Sequence, residues 1–158
     1  MRKRECVISL ARAGFVAALL ISAGTRAQDV PARVLELPPA KGNPRNSEGA
    51  FATLKDGRIL FVYTHFTGGG GDHDSAHLAG RYSADGGRTW TAEDRVIVPN
   101  EGGMNVMSVS LLRLKNDALA LFYLLKNSER DCRPVMRLSR DEGRSEERRV
   151  GKECTIQC

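Results

Sequence analysis

The chain has 158 residues, 27% of them charged, and a net charge of +5. The excess sits at the two ends: residues 1–27 carry +4, residues 143–158 carry +1, and residues 28–142 hold 15 basic and 15 acidic side chains. There is no basic stripe with interleaved aromatics, which argues against a nucleic-acid partner. Length allows one domain. The cysteines (Cys6, Cys132, Cys154, Cys158) make neither a disulfide framework nor a CxxC metal site.

Residues 1–27 read as a secretory signal. Arg2-Lys3-Arg4 is a charged start, residues 13–24 are an uncharged and mostly apolar run, and Thr25-Arg26-Ala27 puts small residues at the −3 and −1 positions of a cut before Gln28. The run is short for a membrane span. The mature protein is therefore expected outside the cytoplasm, secreted or periplasmic, with membrane contact only through this segment during export.

Residues 28–46 are Pro-rich (Pro31, Pro38, Pro39, Pro44) and are expected to be an extended lead-in. A strand-like pattern then starts. Residues 50–54 are short and apolar. Lys55-Asp56-Gly57 is a turn, because Asp-Gly suits the positive φ of a tight hairpin. Residues 58–65 (RILFVYTH) are rich in β-branched and aromatic side chains. Residues 78–83 and 95–98 are two more short runs, the last stopped by Pro99. No window shows a 3.6-residue period.

The pattern then repeats. Residues 54–63 (LKDGRILFVY) match 114–123 (LKNDALALFY) at a shift of 60, and Ser83-x-Asp85-x-Gly87 matches Ser139-x-Asp141-x-Gly143 at a shift of 56. A self-similar four-strand unit of this period is how a propeller blade appears in sequence. After Gly143 the run RSEERRVGKEC shows no strand alternation. Residues 144–158 therefore read as a non-native read-through tail, with a native charged terminus as the alternative. On this reading the chain is all-β: residues 47–143 are about one and three-quarter blades of an incomplete propeller.

Residues 83–90 (SADGGRTW) fit Ser-x-Asp-x-Gly-x-Thr-Trp at every specified position. In such a turn the Asp85 carboxylate accepts backbone N–H bonds, Gly87 takes a conformation other residues resist, and Trp90 packs back into the sheet. The octet resembles the Asp box of the sialidase-type β-propellers. Residues 46–51 (NSEGAF), 54–58 (LKDGR), 71–74 (GDHD) and the octet resemble the first blade of a bacterial exo-sialidase. Residues 100–105 (NEGGMN) through 131–134 (DCRP) resemble its second.

The resemblance implies a partial six-bladed propeller and a secreted exo-α-sialidase-like glycoside hydrolase, acting on a sialylated glycan or other carbohydrate and using no cofactor and no metal. The family holds the sugar carboxylate with arginines, whose planar fork meets it bidentately. Arg45 is the candidate for the first, although Asn46 follows it where the family usually has Ile-Pro; a plain surface arginine is the other reading. Arg133, in the corresponding loop of the second copy, is a further candidate substrate contact. The family's general acid sits on the loop occupied here by residues 68–77, which offers Asp74 and Asp72; Asp74 is preferred because His73 and Ser75 flank it and the glycines end before it. The family's Tyr–Glu nucleophile pair belongs to later blades, so Tyr63, Tyr82 and Tyr123 are read as packing residues. The alternative function is a non-catalytic propeller module that binds carbohydrate or a partner.

Two residue groups stay open. His65, His73 and His77 with the two aspartates admit a metal reading, but no standard ligand spacing is present and polar-loop histidines are usually hydrogen-bonded or solvated. Residues 101–105 open the second copy, either as an inter-blade loop or reaching the central channel. Cys132 is expected to be a buried small apolar residue.

Overall fold

The computed structural model describes residues 33–143 and the backbone of 147–150. The expected signal segment, residues 1–27, and most of the expected tail lie outside the described residues. The described part is all-β and antiparallel. Strands β1 (Arg45–Thr53), β2 (Ile59–Phe66), β3 (Ala76–Ser83) and β4 (Arg95–Val98) form one sheet in sequence order. Strands β5 (Asn105–Arg113), β6 (Leu119–Ser128), β7 (Asp131–Ser139) and β8 (Glu147–Val150) form a second. Each is a four-stranded meander, the unit from which β-propellers are built.

Two boundaries differ from the sequence reading. β1 begins at Arg45, so Arg45 and Asn46 belong to the sheet rather than to the lead-in. Their segment hides its strand character because the register shifts between Ser47 and Gly49, with Glu48 at φ 23° between them. A bulge of this kind breaks the two-residue alternation a strand is recognised by. The second difference is β8, which falls where no strand was expected and pairs Glu147–Val150 with β7. β7 has an outer row of backbone donors and acceptors, and pairing with such an edge does not require an apolar sequence.

The two sheets pack face to face, β5 lying against β1, β2 and β3. Between them is one apolar core built from Leu60, Val62, Leu78 and Val98 of the first sheet and Val106, Val109, Leu119, Leu121, Tyr123, Leu125 and Val135 of the second. Side chains alternate along a strand, so each sheet turns one face inward and keeps one outward. Cys132 is fully buried in β7.

The repeat seen in sequence is a repeat of hydrogen bonds. The Leu54 N–H donates to the Arg58 carbonyl (2.8 Å) and Gly57 to Leu54 (3.0 Å); Leu114 donates to Ala118 (2.9 Å) and Asp117 to Leu114 (3.0 Å). The second copy puts Asp117 at φ 66° where the first has Gly57 at φ 84°, a position aspartate tolerates better than most residues. Ser83 Oγ accepts the Gly87 N–H (2.8 Å) and donates to Asp85 Oδ1 (2.9 Å); Ser139 Oγ does the same with Gly143 (2.7 Å) and Asp141 (2.8 Å).

Asp85 also accepts from Thr89 through both its N–H (2.9 Å) and its hydroxyl (2.6 Å). These donors, the Thr89 hydroxyl first, hold its carboxyl down at about 2. Trp90 donates its indole N–H to the Gly87 carbonyl (3.1 Å) and rests against Phe51 and Phe61. At this end Arg113 ties the sheets together. It donates to the Thr53 carbonyl (3.0 Å) and grips Glu142 with two bonds of 2.7 Å.

Candidate functional site

β2 runs toward Phe66, and the loop of residues 67–75 joins it to β3. The same end carries the start of β1 with Arg45, the start of β5 with Asn105, and the β6–β7 hairpin with Asp131 and Arg133. The candidate residues therefore lie at the end opposite the repeated turns.

Arg45 Nη1 reaches Asp72 Oδ1 at 2.6 Å and the Gly70 carbonyl at 3.1 Å, while its guanidinium lies 4.6 Å above the Phe66 ring. The hydrogen bond from Arg45, its charge, and the more distant charge of Lys126 hold the Asp72 carboxyl below the usual carboxylate range. Asp72 is thus an anion that occupies the arginine. Asp74 is turned the other way. Its Oδ2 accepts the Gly71 N–H (2.7 Å), and its own N–H donates to the Gly71 carbonyl (3.1 Å). A Cβ at Gly69 would run into that carboxylate, so the absence of a side chain at Gly69 leaves the Asp74 carboxylate its space in the loop.

The loop is clamped from the second sheet. Asn105, fully buried at the start of β5, donates through Nδ2 to the backbone carbonyls of Asp72 (3.0 Å) and Asp74 (2.9 Å). Its Oδ1 is buried without a hydrogen-bond partner. Lys126, on β6 and paired with Asn105, is likewise buried. The sequence leaves residues 101–105 as an inter-blade loop or a reach to the central channel, and it gives Lys126 no role. The one available signal was a polar residue at the open end of an apolar strand, a position that fits loop contacts as well as solvent.

Arg133 stands apart. It makes a bidentate pair with Asp131 two residues away (2.6 and 2.8 Å), half exposed, and Asn127 completes the cluster by donating to Asp131 Oδ2 (2.9 Å). Among the described residues no hydrogen bond or ion pair joins it to Arg45, Asp72 or Asp74. The structure therefore brings Arg45, Asp72, Asp74 and Asn105 together and leaves Arg133 on the neighbouring hairpin.

No protein-family model and no curated protein matches the chain. Solved structures do. A protein of unknown function from Dyadobacter fermentans superposes with a TM-score of 0.55 at 17% identity, over 69% of this chain and 36% of that one. The likeness is one of fold. An α-L-arabinanase of Penicillium chrysogenum, solved with arabinobiose, superposes with a TM-score of 0.48 at 17% identity, over 70% of this chain and 33% of that one. The chain spans about a third of the length of either structure.

The histidines divide. His65 and His77 are cross-strand partners on β2 and β3, stacked with centroids 4.6 Å apart, and His65 Nδ1 lies 3.3 Å from Asp94. Burial, with His65 beside it, pushes the His77 imidazole below its ordinary value. His73 is in the exposed loop. The three do not converge on one point between the aspartates. Tyr63 and Tyr123 are buried, and burial raises both phenols, which makes neither a ready nucleophile. Tyr123 does bond a glutamate, donating to Glu101 Oε2 (3.1 Å), but it does so within the inter-sheet packing.

Proposed function

We propose that these two sheets are part of a six-bladed propeller of a secreted, exo-sialidase-like glycoside hydrolase, and that their loop end binds the acidic sugar of a sialylated glycan. The observation that carries this reading is the 2.6 Å contact between Arg45 and Asp72. An arginine fork already holding a carboxylate has the geometry to exchange it for the carboxylate of a sugar. On this reading the sugar displaces Asp72 from Arg45. Asp74, whose Oδ1 makes no hydrogen bond among the described residues, is then the group that protonates the leaving glycosidic oxygen. Asp72 is instead the carboxylate that the sugar replaces, held below the usual carboxylate range by Arg45 in the free protein.

The test is a titration of the protein with sialyllactose and, separately, lactose, followed by amide NMR shifts of residues 67–75. We expect shifts with sialyllactose only, lost in Arg45→Ala and strengthened in Asp72→Asn, which removes the internal competitor. Equal responses to both sugars, or none, would sink the reading. These two sheets present no exposed Tyr–Glu pair among the described residues, so we expect the chain alone to leave a fluorogenic sialoside intact.

The second reading is a carbohydrate-binding propeller module without turnover. The Arg45–Asp72 contact serves it equally, because holding a sugar carboxylate needs no proton donor. In the parent protein, Asp74→Asn should abolish turnover if Asp74 is the acid; a parent protein that binds sialyllactose yet never turns it over supports the module.

A further inference from the structure

Most of the large apolar side chains left exposed are not scattered. Phe51 (59% exposed) and Val96 (54%) lie on the outward face of the first sheet, and Leu112 (53%) and Phe122 (37%) on the outward face of the second. Register fixes those faces: Phe51 pairs with Phe61 and Val96 with Ala79, while Leu112 pairs with Ala120 and Phe122 with Met136. The lead-in flanks the first face, with Val34, Leu35 and Leu37 beside Phe51, Phe61 and Trp90 around a cavity of about 370 Å3. It does not cover the face.

The repeat says what each face is made to meet. At the shift of 60, Phe61 and Tyr63 on the outward face of the first sheet correspond to Leu121 and Tyr123, which are buried against that sheet. Leu60 and Val62 on its inward face correspond to Ala120 and Phe122 on the outward face of the second sheet. Each outward face is thus the counterpart of a face already used in the internal interface.

The polar groups follow the same rule. Within the interface, Arg137 Nε donates to the Tyr123 hydroxyl (3.2 Å) and Arg137 pairs with Glu101. On the outward face Arg81 Nε donates to Asp94 (2.7 Å), and the buried Tyr63 hydroxyl lies beside both, the counterpart of the Tyr123–Arg137–Glu101 group.

We propose that, for this chain on its own, the outward face of the first sheet docks on the outward face of the second sheet of another copy, head to tail, by the packing the two sheets use internally and in the place that later blades take in the proposed parent propeller. A second copy supplies the matching face by repetition. Residues 28–142 are charge-neutral, so the copies do not repel. The two faces differ, so the contact is heterologous and propagates until it closes into a ring. Three copies would line up six sheets.

Light scattering on the full chain across a concentration series should show a discrete oligomer. Phe51→Lys blocks one face and Phe122→Lys the other. Both sites are exposed, so each variant should stay folded and run as a monomer, without the concentration-dependent melting temperature expected of the wild-type oligomer. Mixed, the two should form a one-to-one dimer, because each retains the face the other needs. A wild-type monomer at every concentration, an oligomer indifferent to both substitutions (as association through residues 13–24 would be), or a mixture that stays monomeric overturns the proposal.

Discussion

At one end of the two sheets the chain repeats itself, and at the other it does not. The turns at residues 83–87 and 139–143 hold the same three serine-centred bonds, and the turns at 54–58 and 114–118 the same two backbone bonds. At the opposite end a nine-residue loop, 67–75, answers a two-residue hairpin turn, 129–130. Similar strands thus carry one end fixed by local geometry and one end free to diverge. The difference separates architecture from specificity: the first end should govern stability, the second ligand selection.

The most damaging change should come at the repeated end. Ser83 and Ser139 are buried, and each hydroxyl serves both a backbone N–H and an aspartate. Ser83→Ala should cost about 1–3 kcal/mol, with Ser139→Ala close behind; chemical denaturation measures both. If only one of them matters, the turns are alike in shape but not in energy. Next comes Gly87→Ala. At φ 90° an alanine is strained by about 1–2 kcal/mol. The matching change at the loop end, Gly69→Ala, should leave the melting temperature nearly unchanged while moving Asp74, as the amide shifts of residues 70–75 would report.

The smallest effects concern pH. The folded Asp85 carboxyl is depressed to about 2, below its unfolded value of about 3.9. Its contribution is therefore present above pH 4 and is lost as pH falls through about 2. Asp85→Asn should flatten the acid limb of a thermal-stability profile. Asp72 is also depressed, by Arg45; Arg45→Ala should raise its NMR titration midpoint toward the ordinary carboxylate value while leaving that of Asp85 in place. A common shift of both would mean that the two ends are coupled rather than separate.

The same contrast explains what could be read from sequence. The turn at 83–90 was legible because the hydrogen bonds joining Ser83, Asp85, Gly87 and Thr89 all lie within eight residues. The strand 59–66 was legible because β-branched and aromatic residues fill it, and 119–128 because its first half repeats that segment at a shift of 60. β1 was foreshortened because Glu48 breaks the alternation, and β8 was missed because its pairing is a property of the β7 edge. Arg45, Asp72 and Asp74 could be named singly. Their arrangement could not, since Asn105 reaches the loop from another sheet, 31 and 33 residues away in sequence. An isolated asparagine before an apolar strand carries no local mark of that reach.

Asn105 has one more consequence. The loop at 67–75 belongs to the first sheet, yet its two carbonyl anchors are held by a side chain of the second. Those bonds break when the sheets separate. Slow hydrogen exchange at Asp74 and its neighbours would therefore keep time with parting of the sheets rather than with local fraying, which makes the loop a built-in clock for that opening. A ligand that grips the loop would slow the clock, and through it brace the joint between two halves of the molecule it touches on one side only.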